Sequence, residues 1–378
     1  MLTPKNVVGI YTDASFDGVD VCVLRTDGLD LYGEPIVISR PYDPNLRAEL
    51  SGLKKNEDFS DAQKLKALEE KITTHIISAV HELKELASRS YPDIDLIGLS
   101  GQTIYLNPDQ KISITLANAD TIAQEFKVPV IDRFVQSDLA SGGKGGPLLA
   151  SFYEAITKQM PKPVVVVALG GLTALTYIGG VGELMSFHVG AGTVLLDMWV
   201  QKHYGQEMDY DGLFGAKGQI DERLLNVLMR HPFLEKQPPK MADRNEFNKL
   251  LEQVEGSRPE DGAATLTAFI AKSLASAKMF LPSQPEQWIL TGGGTQNPTL
   301  VLDIKKQMPN ANIETDRIFG WPKNALSAQG YGFLAVRSLF GLPISYPATT
   351  GVSQPVSGGL MHLPNTDTES FSSHLIAK

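Results

Sequence analysis

The feature that most constrains the fold of this chain is an arrangement of apolar runs and turns that occurs twice along the sequence. In the first half, two apolar runs, Val7–Tyr11 and Val19–Leu24, flank a short polar turn, and a third run follows at Gly33–Arg40. The second half opens in the same way, with two apolar runs around a Gly-Gly turn in Pro163–Gly180 and a third at Glu183–Gly192. Apolar runs bounded by glycine-rich turns are typical of β-hairpins. Because helices and strands alternate after each hairpin, the sequence predicts two α/β domains that face a cleft.

The spacing of apolar residues predicts the elements that follow the hairpins. Between Asp61 and Ser88 these residues recur every three or four positions, which is the pattern of an amphipathic helix. We place the domain boundary after residue 133, giving domains 1–133 and 134–378, and we expect the last residues to be able to pack back on the first domain. The other predicted elements are strands at Ile94–Gly101, at Pro129–Phe134 and before the glycine triplet 292–294, and helices at Thr193–His203, Asp221–Arg230, Asn245–Val254, Pro259–Leu281, after Asn297–Pro298 and at Ala325–Phe340.

The composition excludes several classes of partner. The formal net charge of the 378 residues is −9, whereas nucleic acids and anionic membranes are bound through basic patches, so we expect neither as a partner. Cys22 is the single cysteine and cannot form a disulfide within the chain, which fits a reducing compartment such as the cytoplasm. No Cys/His cluster has the spacing of a zinc site, and no apolar segment is long enough to predict a membrane span.

The glycine clusters allow two interpretations. Each cluster alone fits an ordinary tight turn, because glycine adopts conformations that other residues avoid. Several clusters at strand ends in two similar halves favour a nucleotide cleft, since glycine lets the backbone come close to phosphate. The first such turn, in "YTDASFDGVD", is nevertheless acidic, with Asp13, Asp17 and Asp20. Either Asp13 and Asp17 hold Mg²⁺ there, or Asp13 points to solvent or caps its own turn.

A collinear set of short motifs resembles those of the anhydro-N-acetylmuramic acid kinases, within the actin/hexokinase-like superfamily. The resemblance implies two actin-like, ribonuclease H-like domains flanking an ATP/sugar cleft. It implies a reaction in which an aspartate activates water to open the 1,6-anhydro ring, and the freed oxygen takes the γ-phosphate of Mg-ATP. It also implies a homodimer acting in cell-wall sugar recycling. The motifs are "SFDGVD", "GQT", "GGKGGPL", "GG" with "LTYI", "GAGTVLLDMW", "DYDG", "PPK", "GGG" with "NP", and "GLP".

The resemblance also assigns site residues. On the sugar side it implies Gln102, Asp120, Arg133 and Val135, and at the position of the catalytic aspartate it places His188. No residue is assigned firmly to a metal. The residues implied on the nucleotide side are Asp13, Ser15, Asp17, Gly18, Gly170, Gly171, Gly190, Gly192, Gly292, Gly293, Asn297 and Ser327.

Several of these positions depart from the family pattern. His188 replaces the catalytic aspartate, and Ser327 replaces a glutamate near metal and phosphates. Asp13 replaces a glycine of the first phosphate loop, where Ala14 also removes a threonine hydroxyl. On the sugar side, Arg133 and Val135 stand where the family has aspartate and arginine, and Ala168 and Ala174 replace an asparagine pair.

These departures leave three hypotheses. The first is a pseudokinase, which keeps the scaffold, has lost ring opening and phosphorylation, and acts by binding a sugar, a nucleotide or a paralogous kinase. The second is an active ATP-dependent kinase of 1,6-anhydro-N-acetylmuramic acid or another anhydrosugar, with His188 as a substitute base. In its neutral form an imidazole can take a proton, with an ordinary pKa near 6.5. The third is an interaction protein without a ligand.

Overall fold

The computed structural model describes residues 2–12, 15–53, 59–180, 182–243, 245–321 and 326–365. Within them the chain divides into two compact units. The first contains residues of 1–156, 326–346 and 352–365, and the second contains 157–321 and 347–351. Among the helices of the described residues, we find none whose length and apolar character would let it span a bilayer.

The strands and helices are numbered in chain order. The strands are β1 Lys5–Thr12, β2 Gly18–Thr26, β3 Leu31–Pro41, β4 Leu96–Leu99, β5 Gln102–Asn107, β6 Ile112–Leu116, β7 Val130–Asp132, β8 Val164–Leu169, β9 Leu172–Ile178, β10 Leu184–Ala191, β11 Gln287–Thr291, β12 Ile313–Thr315 and β13 Leu360–His362. The helices are α1 Pro44–Ser51, α2 Ala62–Ala87, α3 Ala119–Phe126, α4 Phe134–Ala140, α5 Ala150–Ile156, α6 Val194–Tyr204, α7 Leu213–Lys217, α8 Glu222–Leu228, α9 Pro232–Glu235, α10 Leu250–Val254, α11 Pro259–Ser276, α12 Pro298–Gln307, α13 Leu326–Leu339 and α14 Pro347–Thr350.

The two main sheets repeat one topology. In the first unit the strand order is β13-β7-β4-β1-β2-β3, and in the second it is β10-β9-β8-β11-β12. In chain order, each sheet begins with three strands that are antiparallel to their neighbours, β1–β3 and β8–β10. Strands β4 and β7 then run parallel to β1, and β11 and β12 run parallel to β8. Strand β13 adds an antiparallel edge to the first sheet, and β5 and β6 form a separate hairpin. The predicted α/β fold of two actin-like units is therefore confirmed.

The first unit covers both faces of its sheet because its central strands carry apolar residues on both sides. Val8 and Ile10 of β1 belong to the core shared with α2, whereas Val7 belongs to the core shared with α13. Helix α2 begins after Asp61, whose side chain accepts a hydrogen bond from the Lys64 amide, as expected of an N-cap. Its predicted apolar face is buried, so the amphipathic prediction for 61–88 is confirmed.

The second unit has the same design with a larger helical layer. Helices α11 and α12 close the core over β8, β9 and β11, and α6, α8 and α10 share a second core with α11. One predicted helix here is wrong in its first half, since Asn245–Val254 is helical only from Leu250. The residues before it form turns with bonds three residues apart, and the Asp243 carboxylate accepts from the Asn245 amide in place of a helical partner.

Candidate functional site

The predicted glycines of the second unit gather at one edge of its sheet. Because β8, β10 and β11 run in the same direction, their carboxyl ends lie at the same edge. The turn Gly170–Gly171 follows β8, Gly192 follows β10, and the triplet 292–294 follows β11. The Gly192 amide donates to the Gly171 carbonyl, and the Thr193 amide donates to the Gly170 carbonyl, each over 2.9 Å. These two hydrogen bonds join the turn 170–171 directly to the backbone that follows β10.

This glycine edge requires glycine at two of its positions. A Cβ on Gly192 would lie 2.0 Å from the Gly170 carbonyl oxygen. Gly292 has a φ of +87°, and a Cβ there would lie 2.9 Å from the Leu169 oxygen. Gly293 differs from both, because it is exposed and nothing lies within 4 Å of a Cβ added to it. The space beside the Gly293 Cα is therefore open, which leaves room for a ligand next to the backbone.

Two predicted residues near this edge serve the fold. Gly190 is buried within β10, where a Cβ would lie 3.0 Å from Leu234. Asn297 is 6% exposed, and its side chain accepts from the Leu300 amide over 2.9 Å, which caps α12. The cap also packs on the turn of the "DYDG" motif, since a Cβ on Gly212 would lie 2.3 Å from Asn297 Oδ1. Gly190 thus allows close packing, and Asn297 caps a helix, near the glycine edge.

Three altered positions form a row across the same sheet. Ala168 of β8 pairs with Ala174 of β9, and Ala174 pairs with His188 of β10. Side chains of directly paired residues lie on the same face. The row therefore presents two methyl groups and an imidazole where the resembling kinases have two amides and a carboxylate.

The hydrogen bonds of His188 define which nitrogen carries its proton. The backbone amide of Ala242 donates to Nδ1 over 3.1 Å, so Nδ1 is an acceptor and the neutral ring carries its proton on Nε2. The His188 amide in turn donates to the Lys240 carbonyl over 2.9 Å. Burial lowers the pKa of His188 to about 4, so the ring is neutral at pH 7. At position 188 the site thus offers a hydrogen-bond donor.

In the first unit, the acidic turn is only partly described. Asp13 and Ala14 lie outside the described residues, so the two interpretations of Asp13 stay predictions. Ser15 is half-buried, Asp17 is exposed, and the Asp17 carbonyl accepts from the Tyr42 amide over 3.0 Å. Gly18 opens β2 and packs tightly on β3, since a Cβ there would lie 2.2 Å from the Arg40 oxygen.

The predicted sugar residues fall into two groups. Gln102 is fully buried, and its Oε1 accepts from the Tyr42 hydroxyl over 3.1 Å, so its amide contributes to the core. Asp120 and Arg133 instead lie near the surface, with side chains 74% and 58% exposed. Val135 lies on α4 against the glycine-rich loop, 3.1 Å from a Cβ added at Gly145. Ser327 is half-buried in the first turn of α13.

His362 of β13 joins Asp120 to Arg133 through Asp132. Its Nδ1 lies 2.7 Å from Asp120 Oδ1, its Nε2 lies 3.0 Å from Asp132 Oδ1, and Arg133 Nε lies 3.9 Å from the same oxygen. Burial raises the pKa of Asp132, while the neighbouring His362 and Arg133 oppose that rise. Sequence reasoning missed His362, because no local pattern marks a residue that pairs with others more than 200 positions away.

The described residues contain no group of three or more His, Cys, Asp or Glu side chains that could hold a metal ion. At the position where the resemblance places a glutamate near the metal, Ser327 offers a hydroxyl. The described donor set therefore does not fit a protein-held Mg²⁺, whereas the glycine edge fits a phosphate chain.

Comparison with known proteins gives a consistent family. The family model for anhydro-N-acetylmuramic acid kinase matches residues 5–363. Proteins named anhydro-N-acetylmuramic acid kinase from two strains of Rhodopseudomonas palustris are 35% and 36% identical over 369 and 368 residues, covering 94% of this chain and 99% of each relative. One from Nitrobacter winogradskyi is 34% identical over 369 residues with the same coverage.

Among solved structures, the chain is similar to component A of (R)-2-hydroxyglutaryl-CoA dehydratase from Acidaminococcus fermentans. The TM-score is 0.47 and the identity 12%, with 88% of this chain and 98% of that chain covered. A similarity at this level adds nothing to the assignment of fold or function.

Proposed function

Because this chain belongs to the anhydro-N-acetylmuramic acid kinase family, we propose that it is a pseudokinase of that family. It keeps a binding scaffold and has lost both the hydrolytic opening of the anhydro ring and the phosphorylation that follows. Its ligands are a nucleotide and a sugar derived from the recycling of the cell wall. The family resemblance further supports a cytoplasmic homodimer, with a paralogous, intact kinase as an alternative partner.

One observation carries the proposal: the imidazole of His188 has no nitrogen available to accept a proton from water. Nδ1 already accepts from the Ala242 amide, and Nε2 carries the proton of the neutral ring. A general base must be able to take a proton at the operating pH, and it works best with a pKa near that pH. A ring whose pKa burial lowers to about 4 is a poor base at pH 7 even where a nitrogen is free.

The neighbours of His188 support the same conclusion. Ala168 and Ala174, its partners in the row, can neither donate a hydrogen bond to a developing charge nor orient a water. Preorganised polar groups are often the largest contribution to catalysis, and loss of one such donor costs on the order of 10²- to 10³-fold in rate. Loss of two amides and a carboxylate from one row therefore removes more than a substitute base can restore.

ATP binding is a separate part of the proposal, and it rests on the glycine edge. The glycines of the turn 170–171, Gly192 and the triplet 292–294 keep side chains out of this edge, so a phosphate chain could approach the backbone there. When bound, Mg-ATP would supply the phosphoryl group in an active relative. In this chain the glycine edge would hold and orient the phosphates.

A coupled ADP-release assay tests the loss of activity. With Mg-ATP and 1,6-anhydro-N-acetylmuramic acid, we expect no release above the background without sugar. Calorimetry on the same samples reports binding of each ligand independently of turnover. We also expect His188→Asp to stay inactive, because Arg133, Val135, Ala168, Ala174 and Ser327 remain changed.

One result would contradict the proposal, and a second would contradict the explanation given for the lost activity. Turnover by the wild-type protein at ordinary kinase rates, about 1 to 100 per second, would establish an active kinase. His188→Ala then decides between mechanisms, since its inactivity would make His188 the substitute base of the alternative hypothesis. A large gain in activity from His188→Asp alone would show that the other changes matter little.

A matched pair of substitutions at Gly293 tests ATP binding. Gly293→Asp places a carboxylate beside the proposed phosphate site, where a like charge at 4 Å costs about 1 to 4 kcal/mol. We expect ATP to bind about fivefold to about a thousandfold more weakly by calorimetry. Gly293→Ala should bind as the wild type does, because nothing lies within 4 Å of the added methyl. Equal affinity for both variants would place the nucleotide elsewhere.

A further inference from the structure

Lys240 is a buried cation for which the proposed function has no use. Its side chain is 1% exposed, and among the described residues no carboxylate forms an ion pair with it. Lysine is almost never fully buried without a compensating partner, because removing an ammonium from water is costly. The residues around Lys240 therefore have to supply that compensation.

Compensation comes from two carbonyls and three aromatic rings. The ammonium donates to the carbonyl oxygens of Phe233 and Leu234, each over 3.0 Å, in the last turn of α9. Cations are favoured at the end of a helix, where carbonyls lack partners. The Nζ atom also lies 5.8, 5.0 and 4.6 Å from the ring centres of Phe187, Phe233 and Phe280, within the range of a cation–π contact. Lys240 thus ties its own segment to α9 and to β10.

The segment fixed in this way is the one that contacts His188. The Lys240 carbonyl accepts from the His188 amide, and two residues later the Ala242 amide donates to His188 Nδ1. Phe187, one wall of the cage around the ammonium, is the residue before His188. Movement of the segment 240–242 would therefore remove the donor that keeps the proton of the ring on Nε2.

We infer that Lys240 is a positioning residue that sets the tautomer of His188 through the backbone of residues 240–242. The inference rests on the proposed function only in taking position 188 as part of the ligand site. The ammonium holds the segment, the segment presents the Ala242 amide, and that amide makes Nε2–H the group offered to a ligand.

The hydrogen bonds of Lys240, more than its charge, are expected to hold the segment 240–242 in place. Burial lowers the pKa of Lys240 to about 8, with the nearby Lys236 adding to the effect. Above that pH the side chain becomes a neutral amine, which still has two N–H groups for the two carbonyls. The tautomer of His188 should therefore persist as the pH rises from 7 to 9.

Imidazole ¹⁵N spectra of the full-length protein test the inference, with His188→Asn identifying the His188 signals. In the wild type we expect the Nε2–H tautomer. Lys240→Met keeps the bulk and removes both donors, so the His188 signals should move to a mixture of tautomers. Movement of the segment 240–242 should also let water reach the ring. Because burial causes the low pKa of His188, that pKa should rise from about 4 toward the ordinary value of about 6.5. Lys236→Met removes an exposed lysine four residues away and should change neither.

A folded Lys240→Met protein with an unchanged His188 tautomer and titration would overturn the inference. Should that variant not fold, Phe280→Leu removes the nearest ring of the cage and keeps the lysine. A partial shift of the same His188 signals is then expected, and its absence would be equally decisive. The readout does not involve turnover, so it remains distinct from failure of the proposed pseudokinase.

Discussion

As the pH falls from about 6.5 to about 4, the wild-type protein is expected to lose about 3 kcal/mol of stability because of His188. Replacing His188 with Asn should remove this loss. Burial holds the pKa of the folded ring near 4, whereas the unfolded chain has the ordinary value of about 6.5. Between these values the unfolded state binds more protons, so stability falls with falling pH. A difference of 2.5 pKa units corresponds to about 3 kcal/mol.

Asparagine is a suited replacement because its side-chain oxygen can take the place of Nδ1 as the acceptor for the Ala242 amide. The measurement is urea unfolding at several pH values, followed by tryptophan fluorescence. Trp199, Trp288 and Trp321 are the three tryptophans of the chain, and all lie in the second unit with His188. The fluorescence therefore reports on the unit that carries the substitution.

His203→Asn is the control, since it makes the same chemical change at an exposed position of α6. Its stability should follow that of the wild type between pH 7 and pH 4, and only His188→Asn should show the flatter dependence. If wild type and His188→Asn lose stability in parallel, the ring is hydrated in the folded protein. In that case the argument against His188 as a base loses its electrostatic part.

The parts of this site that follow local rules could be predicted from the sequence. The glycine edge is one, because strands of equal direction end at one edge and each run ended in glycine. The pattern of apolar runs likewise predicted both hairpins and the amphipathic helix α2. Such features depend on residues within a few positions of one another, where periodicity and turn chemistry are informative.

The rest depends on contacts that no local pattern encodes. The Ala242 amide reaches His188 over 54 positions and through a main-chain group, so the side chain of residue 242 gives no signal. Lys240 would be expected on the surface from its residue type, yet a cage of rings buries it. Gln102 shows the opposite case, since a polar residue assigned to a ligand lies in the core. The motif could suggest which residues matter, but it could not specify which atoms they would present.

Gly9→Ala is expected to destabilise the first unit by on the order of 3 kcal/mol or more, because it forces apart a helix and a strand that are in backbone contact. A Cβ on Gly9 of β1 would lie 1.9 Å from the Ala328 carbonyl oxygen and 2.7 Å from the Gly332 amide nitrogen. Neither atom can move unless α13 moves as a whole. Gly98, the partner of Gly9 in β4, has the same relation to Tyr331, with 2.3 Å to its carbonyl oxygen.

Helix α13 therefore lies directly on the two strands. This close packing fixes the distance between the sheet and the first turn of the helix, which contains Ser327. Hydrogen exchange of the amides in β1 and α13 measures the effect, and in Gly9→Ala we expect it to be about a hundredfold faster or more, if these amides exchange through unfolding of the unit. Gly293→Ala adds the same methyl group in open space and should leave that exchange unchanged. Wild-type protection in Gly9→Ala would mean that α13 adapts without cost. Gly9 would then be dispensable to the packing of this unit. The backbone that carries Ser327 would also not be rigid, so the effect of losing the glutamate could not be ascribed to the changed side chain alone.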